Sequence, residues 1–350
     1  MYAFRLNEWK SEPVLVQVPD PDPGPGQVVV RVGGAGVCHS DLHLMNEFGD
    51  EQVAWRPPFT LGHENAGWVY AIGSGVSGLN IGDPVAVYGA WGCGACSRCR
   101  LGMENYCADI KSAPVAGGGA GLGLDGGIAE YLLVPNVRHL LPIPSELDMA
   151  SAASLTDAGV TAYHAVRRSL TKLQPGTNAV VLGVGGLGHL GVQILRAMTA
   201  AQIIAVDTNP DALQLARESG ADVALPADES VVQAVRDATK GQGADVVIDF
   251  VGSDKTLSLA AALARQLGDV TITGIGGGTL PISFFSIRRE VSVQTTYWGS
   301  RPELAEVLNL AAQGQIRPRI TTFALEEAGR AYSMLAAGEI RGRAVIVPSR

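Results

Sequence analysis

Residues Asn178–Asp207, NAVVLGVGGLGHLGVQILRAMTAAQIIAVD, decide the fold. Ala179–Leu182 is a short apolar run rich in β-branched residues, the composition of a strand buried on both faces. It leads into Gly183-Val184-Gly185-Gly186-Leu187-Gly188, a G-x-G-x-x-G turn. A helical pattern follows, with Leu190, Ile194 and Leu195 on one face and Val192 flanking them. A second apolar strand, Gln202–Val206, ends on Asp207, about 20 residues past the turn, the spacing of a dinucleotide-binding βαβ unit. Gly183 permits the tight turn, Gly185 admits a pyrophosphate to the backbone, and Gly188 lets helix and strand pack closely. The free N–H groups at the helix start, with Gly186 and Leu187 leading into it, then face the phosphates. Asp207 would accept hydrogen bonds from the ribose hydroxyls and repel a 2′-phosphate, which favours NAD over NADP. No Arg follows it in Thr208-Asn209-Pro210. A glycine triplet alone also fits an ordinary strand–turn–helix; strand, helix, second strand and acid together point to the cofactor.

Around this unit, 350 residues predict two domains with ample material for buried cores. A hydrophobic fraction of 47% with 17% charged residues is globular, not disordered. The net charge of −8 provides no basic footprint for nucleic acid. The N-terminus MYAFRLNEWK has no apolar signal core, and the apolar stretch at 179–198 is broken by glycines, His189, Gln193 and Arg196, so no membrane span is expected. Four of five cysteines crowd into 93–107, the usage of a reducing, cytoplasmic compartment in which thiols bind metal.

Residues 1–150 read as mostly β: strands at Val14–Val18, Val28–Val32, Ala66–Ile72 and Val85–Tyr88, punctuated by PDPDPGPG at 19–26 and by Gly82-Asp83-Pro84. The block Cys93-x2-Cys96-x2-Cys99-x7-Cys107 has the ligand set of a closed structural zinc site. Two disulfides or an iron–sulfur cluster are the alternatives. The first conflicts with the compartment, the second with the usual spacing. Beyond Asp207, strands Val246–Phe250 and Val270–Thr273 continue the parallel sheet, with helices at Ala212–Ser219, Val231–Thr239 and Leu257–Leu267.

The cysteine block resembles the structural-zinc lobe of the zinc-dependent medium-chain alcohol dehydrogenases. Cys38-His39-Ser40-Asp41 resembles that family's first metal-ligand turn, Gly62-His63-Glu64 its second, and the glycine turn at 183–188 its cofactor site, in the same order. The likeness runs from Pro23-Gly24-Pro25-Gly26 to Gly342-Arg343 and extends to bacterial NAD-dependent secondary alcohol dehydrogenases that carry an Asp as third metal ligand. It implies a two-domain α/β fold. A Rossmann domain with a doubly wound parallel sheet spans 154–296. A mostly β, GroES-like catalytic domain spans 1–153 and is completed by 297–350. It also implies two Zn²⁺ per subunit, one catalytic and one structural, together with NAD(H).

A catalytic zinc needs three protein ligands and one open position. The resemblance assigns Cys38, His63 and, where many members have Cys, Asp157. A lone Cys38 is otherwise a buried apolar residue, and Asp157 is otherwise the cap of a helix starting at Ala158. Glu64 is the further candidate, beside the metal or joining it in some states. The family mechanism uses zinc as a Lewis acid on an alcohol and passes hydride to the nicotinamide. Its proton path runs from a Ser or Thr through a ribose hydroxyl to a His; Ser40 and His43 hold those positions. Asp41 is expected to orient His63. His39 and Arg343 are expected near the pyrophosphate, and Thr161 near the nicotinamide. Gly274-Ile275-Gly276 would bind the carboxamide.

Trp55, Leu122, Phe285 and Trp298 are expected to wall an apolar pocket for secondary or primary alcohols and the matching ketones. A polyol or amino-alcohol dehydrogenase on the same scaffold is the first alternative. A zinc-free quinone or enoyl reductase is the second, and a non-catalytic, zinc-stabilised NAD-binding protein the third. Family likeness implies a homo-oligomer, tetramer before dimer, joined through Leu280–Phe284 or Glu290–Gln294.

Overall fold

A computed structural model describes residues 1–348. The chain forms two compact units. One comprises Met1–Val160, Trp298–Ala312 and the segment from Pro318 onward; the other comprises Thr161–Tyr297 and Gln313–Arg317.

In the second unit the sheet order is Val223–Pro226, Gln202–Asp207, Asn178–Leu182, Ala244–Asp249, Ala264–Ile272, Ser292–Thr295. Every neighbouring pair is parallel. This is the doubly wound order, in which the chain reverses direction next to its first strand and leaves a crevice at the strands' carboxyl ends. The strands Asn178–Leu182 and Ala244–Asp249 are buried at every residue because helices cover both faces, so their sequences show no alternation. Helix Gly188–Met198 buries Leu190, Ile194 and Leu195 against the sheet. Several expected element ends shift, and two differences matter here. The helix Asp254–Leu263 stops four residues before Leu267, because Ala264 begins the next strand and Leu267 itself adopts φ 63°. Leu280–Phe284 forms no strand; the edge of the sheet is Ser292–Thr295.

The first unit is built on a seven-stranded sheet. Its order is Leu140–Pro142, Pro84–Val87, Glu64–Ile72, Val28–Val37, Arg343–Ile346, Ile320–Phe323, with Tyr131–Val134 also paired to Val28–Val37. The Val28 strand runs ten residues, through Gly33-Gly34-Ala35-Gly36 up to Val37. Its end therefore delivers Cys38 directly to the helix His39–Asn46. A core of Val30, Val32, Leu61, Val69, Val87 and Ile128 underlies the sheet.

Candidate functional site

Three segments of the first unit converge. Cys38 precedes the helix His39–Asn46, and its backbone N–H donates to the Asp41 carboxylate three residues on, at 3.2 Å. His63 sits just before the strand Glu64–Ile72, only 2% exposed. Asp157 lies in a π-helical turn, Leu155–Gly159, between the helices Met149–Ser154 and Val160–Arg168. Asp157 is therefore inside a helical run and not a cap; Asp148 caps the first of these helices by accepting from the Ser151 N–H at 2.8 Å. A π-turn inside a helix is uncommon and recurs at functional sites, because the extra residue redirects one side chain.

The donor atoms are close. Asp157 Oδ2 stands 3.5 Å from His63 Nε2 and 3.8 Å from Cys38 Sγ. Together with a Glu64 oxygen, these atoms lie within 4.8 Å of one another. Ligands about 2.0–2.3 Å from one tetrahedral ion are separated by about 3.3–3.8 Å, so the donor types of the set suit zinc and the two separations from Asp157 match its spacing. Asp41, fully buried, approaches the other imidazole nitrogen of His63 at 3.2 Å. Burial lowers the affinity of His63 for a proton, but Asp41 and Asp157 outweigh it and hold the imidazole well above its ordinary pKa. Ser40 Oγ is 3.4 Å from His63 Nε2. His43 is partly exposed and pairs with Glu47 at 2.9 Å.

Glu64 is fully buried and paired with Arg343, while its Oε2 has no hydrogen-bond partner. Burial pushes its carboxyl up to about 7 against the opposing pull of Arg343. Arg343, expected at the pyrophosphate, is 3% exposed with its guanidinium on Glu64. His39, expected there too, is the exposed first residue of its helix. No motif announced Tyr332, whose hydroxyl donates to Asp41 at 2.7 Å. Its helix pattern, EEAGRAYSML, shows only an amphipathic segment.

The four clustered cysteines form a separate group. All are free, with Sγ separations of 3.9 Å for Cys93–Cys99 and 4.0 Å for Cys96–Cys107. A disulfide needs about 2.0 Å, whereas four thiolates on one zinc lie about 3.8 Å apart. Backbone N–H groups of Cys93, Cys96 and Cys99 point at sulfurs of Cys107, Cys93 and Cys96. Those from Cys99 and Ala108 draw the Cys96 thiol down to about 6, toward the thiolate that a metal requires.

In the second unit Gly183 adopts φ 81°, and a side chain at Gly188 would collide with the carbonyl of Gly183. A Cβ on Gly185 would meet nothing within 4 Å, so the turn keeps open space where a phosphate could approach. The Asp207 carboxylate accepts from the N–H of Val184 at 2.6 Å and of Asn209 at 2.8 Å, which ties the acid to the glycine turn. Thr161 is buried near the start of the helix Val160–Arg168. Gly274-Ile275-Gly276 follows the strand Ala264–Ile272, with the Gly276 N–H on the carbonyl of Val251 at 2.9 Å.

Of the expected pocket residues, Trp55 and Leu122 pack in the first unit's core cluster, and Trp298 stacks edge-on to His63 with ring centroids 5.7 Å apart. Phe285 is not among them. It is 92% exposed in the second unit, set edge-on against Phe284 in a segment without regular structure. Its neighbours Leu280–Phe284 are expected as an edge segment joining copies, but that segment forms no strand.

Two family models match: an alcohol dehydrogenase GroES-like domain over residues 24–145 and a zinc-binding dehydrogenase over 186–313. The chain is 37% identical to an NAD-dependent alcohol dehydrogenase of Sulfurisphaera tokodaii, over 99% of this chain and 100% of that one. Its structure superposes on the alcohol dehydrogenase of the hyperthermophilic archaeon Aeropyrum pernix with a TM-score of 0.91 and 37% identity, covering 99% and 100% of the two chains. An acetophenone reductase from Geotrichum candidum, solved with NAD, gives 0.86 and 31%, covering 99% and 96%.

Proposed function

The chain belongs to the zinc-binding alcohol dehydrogenases and is an NAD-dependent enzyme of that family; from this premise we propose that Cys38, His63 and Asp157 hold a catalytic zinc for a secondary alcohol or ketone with apolar substituents. The observation that carries the reading is the approach of Asp157 Oδ2 to both His63 Nε2 and Cys38 Sγ. Cys93, Cys96, Cys99 and Cys107 take a second, closed zinc that braces their loop. NAD is read as lying on the Gly183–Gly188 turn, with Asp207 on its ribose.

When bound, zinc supplies Lewis acidity that makes an alcohol easier to deprotonate, and NAD accepts the hydride. The chain's own residues do the rest. Asp41 holds the His63 imidazole so that Nε2 faces Asp157. The Ser40 hydroxyl is the proton's first acceptor, beside Nε2, and His43 is the exit group toward solvent. Glu64, its charge balanced by Arg343, would be the further donor available to that metal.

The apolar Trp298 beside His63 supports alkyl or aryl substrates over polyols. Exposed Ile282, Phe284 and Phe285, with the edge strand Ser292–Thr295, are read as a contact between copies in a tetramer. Free cysteines support a reducing, cytoplasmic setting. Among the described residues no helix is long and apolar enough to cross a membrane.

The test is zinc content per subunit in the native enzyme and in Asp157→Ala, each with NAD-linked oxidation of a simple secondary alcohol. Two zincs falling to one, with activity lost and the fold kept, support the assignment. Two zincs and near-normal activity in the variant would remove Asp157 from the ligand set in favour of Glu64.

A further inference from the structure

Trp298, expected in a pocket wall, touches two parts of the candidate metal site. It begins a segment of the first unit, is 6% exposed, and adopts φ 56°, a left-handed conformation that bulky residues rarely accept. Its indole N–H donates to the carbonyl of Thr156 at 3.0 Å, inside the π-turn and one residue before Asp157. The same ring meets the His63 imidazole at an interplanar angle of 69°, the edge-to-face geometry that aromatic pairs prefer. One side chain therefore touches two donor-bearing segments that lie far apart in sequence.

The indole is fixed from other directions too. A side chain on Gly89 would collide with its six-membered ring, so that glycine lets the backbone close against it. The Tyr88 hydroxyl donates to the carbonyl of the adjacent Gly299 at 2.6 Å and anchors the chain there. A single π-turn is uncommon and weakly favoured by itself, and a donor from outside the helix holds its carbonyl in place.

We propose that Trp298 is a positioning residue for the catalytic zinc, clamping the π-turn of Asp157 and the ring of His63 at the separation a single ion needs. The proposal rests on the reading of Cys38, His63 and Asp157 as ligands. It predicts an effect on metal retention that does not depend on the size of the alcohol, which a residue that only lines the pocket would not have.

The four-cysteine site provides an internal control. Zinc release to a chelator is followed over time in the native enzyme, in Trp298→Phe, and in protein carrying β-(3-benzothienyl)alanine at 298. The last keeps the ring's shape while sulfur replaces the N–H, so it stays informative if Trp298→Phe does not fold. The expected result is release of one zinc about 10- to 100-fold faster than in the native enzyme, with the other unchanged. Turnover of small and bulky alcohols falls together and is restored by added zinc. Native release kinetics in both altered proteins would overturn the proposal. Parallel loss of both zincs would reduce Trp298 to a general packing residue, and a change confined to KM for bulky alcohols would reduce it to a pocket wall. A native enzyme holding only the four-cysteine zinc would instead overturn the ligand assignment underneath.

Discussion

The phenol of Tyr332 and the carboxylate of Asp41 share a 2.7 Å hydrogen bond across 291 positions of sequence. Burial and then Asp41 hold the Tyr332 hydroxyl well above its ordinary pKa, so it remains a donor at every working pH. Asp41 in turn takes the Cys38 N–H and faces His63. Asp41→Asn is therefore expected to weaken zinc binding at the Cys38 site about 10- to 100-fold, measured by competition with a chelator. Tyr332→Phe, which keeps the ring stacked on Phe4, should cost about 1.5–3 kcal/mol of stability in chemical denaturation. Unchanged zinc affinity in Asp41→Asn would show that the carboxylate does not hold the histidine.

The Glu64–Arg343 pair is buried on both sides. Arg343→Met leaves a carboxylate without its counter-charge, and the expected loss is about 3–5 kcal/mol. Glu64→Gln combined with Arg343→Met should recover most of it. A double variant as unstable as the single one would count against the pairing as the cause.

Ser40→Ala removes the hydroxyl beside His63 while leaving every proposed ligand in place. Turnover should fall about 10²- to 10⁴-fold with zinc content intact. Full activity in this variant would exclude Ser40 from the proton's route.

Burial pushes the His139 imidazole well below its ordinary value of 6.5, with Arg138 and Arg301 adding repulsion, so the folded protein keeps it neutral. The unfolded chain takes up that proton first as pH falls. Stability is then complete above the unfolded value and declines as pH drops below it toward the folded one. His139→Phe can keep the stack on Trp91 and should flatten the dependence of Tm on pH between about 7 and 5. An unaltered slope would assign the acid sensitivity elsewhere.

Asp207→Asn keeps the size and one acceptor but not the charge. NAD efficiency, as kcat/KM, should fall about 10- to 100-fold, the value of a charged hydrogen bond, while the penalty against NADP relaxes. An unchanged ratio between the two cofactors would dissociate Asp207 from the ribose.

Local pattern was enough for much of this. The run from Asn178 to Asp207 carries its own strand, turn, helix and acid, so the dinucleotide-binding βαβ unit could be read from periodicity and spacing, while the doubly wound order around it followed from the family resemblance. Cys38 and His63 sit in short motifs, and the four cysteines lie within one loop. Asp157 was reached through its place in a family pattern, and the π-turn that aims it has no such signature. Tyr332, Arg343 and Trp298 reach the centre through contacts spanning 142 to 291 positions, set by the sheet's assembly and not by neighbouring residues. Leu267 and Phe285 failed for the converse reason. Apolar side chains mark burial only on average, and here one takes a left-handed bend while the other faces solvent.

The strand Arg343–Ile346 is not at an edge; it lies between Val28–Val37 and Ile320–Phe323. During translation, the ribosome releases Glu64 and the Val28 strand long before the segment that pairs with both. The six-stranded sheet, whose strands all fall between Asn178 and Thr295, is complete sooner. The nascent chain carries an open sheet edge and an unbalanced carboxylate until the Arg343–Ile346 strand emerges, a condition that invites misassociation and chaperone capture. A product cut short just before Arg343 would retain a finished dinucleotide fold beside a catalytic half that cannot close.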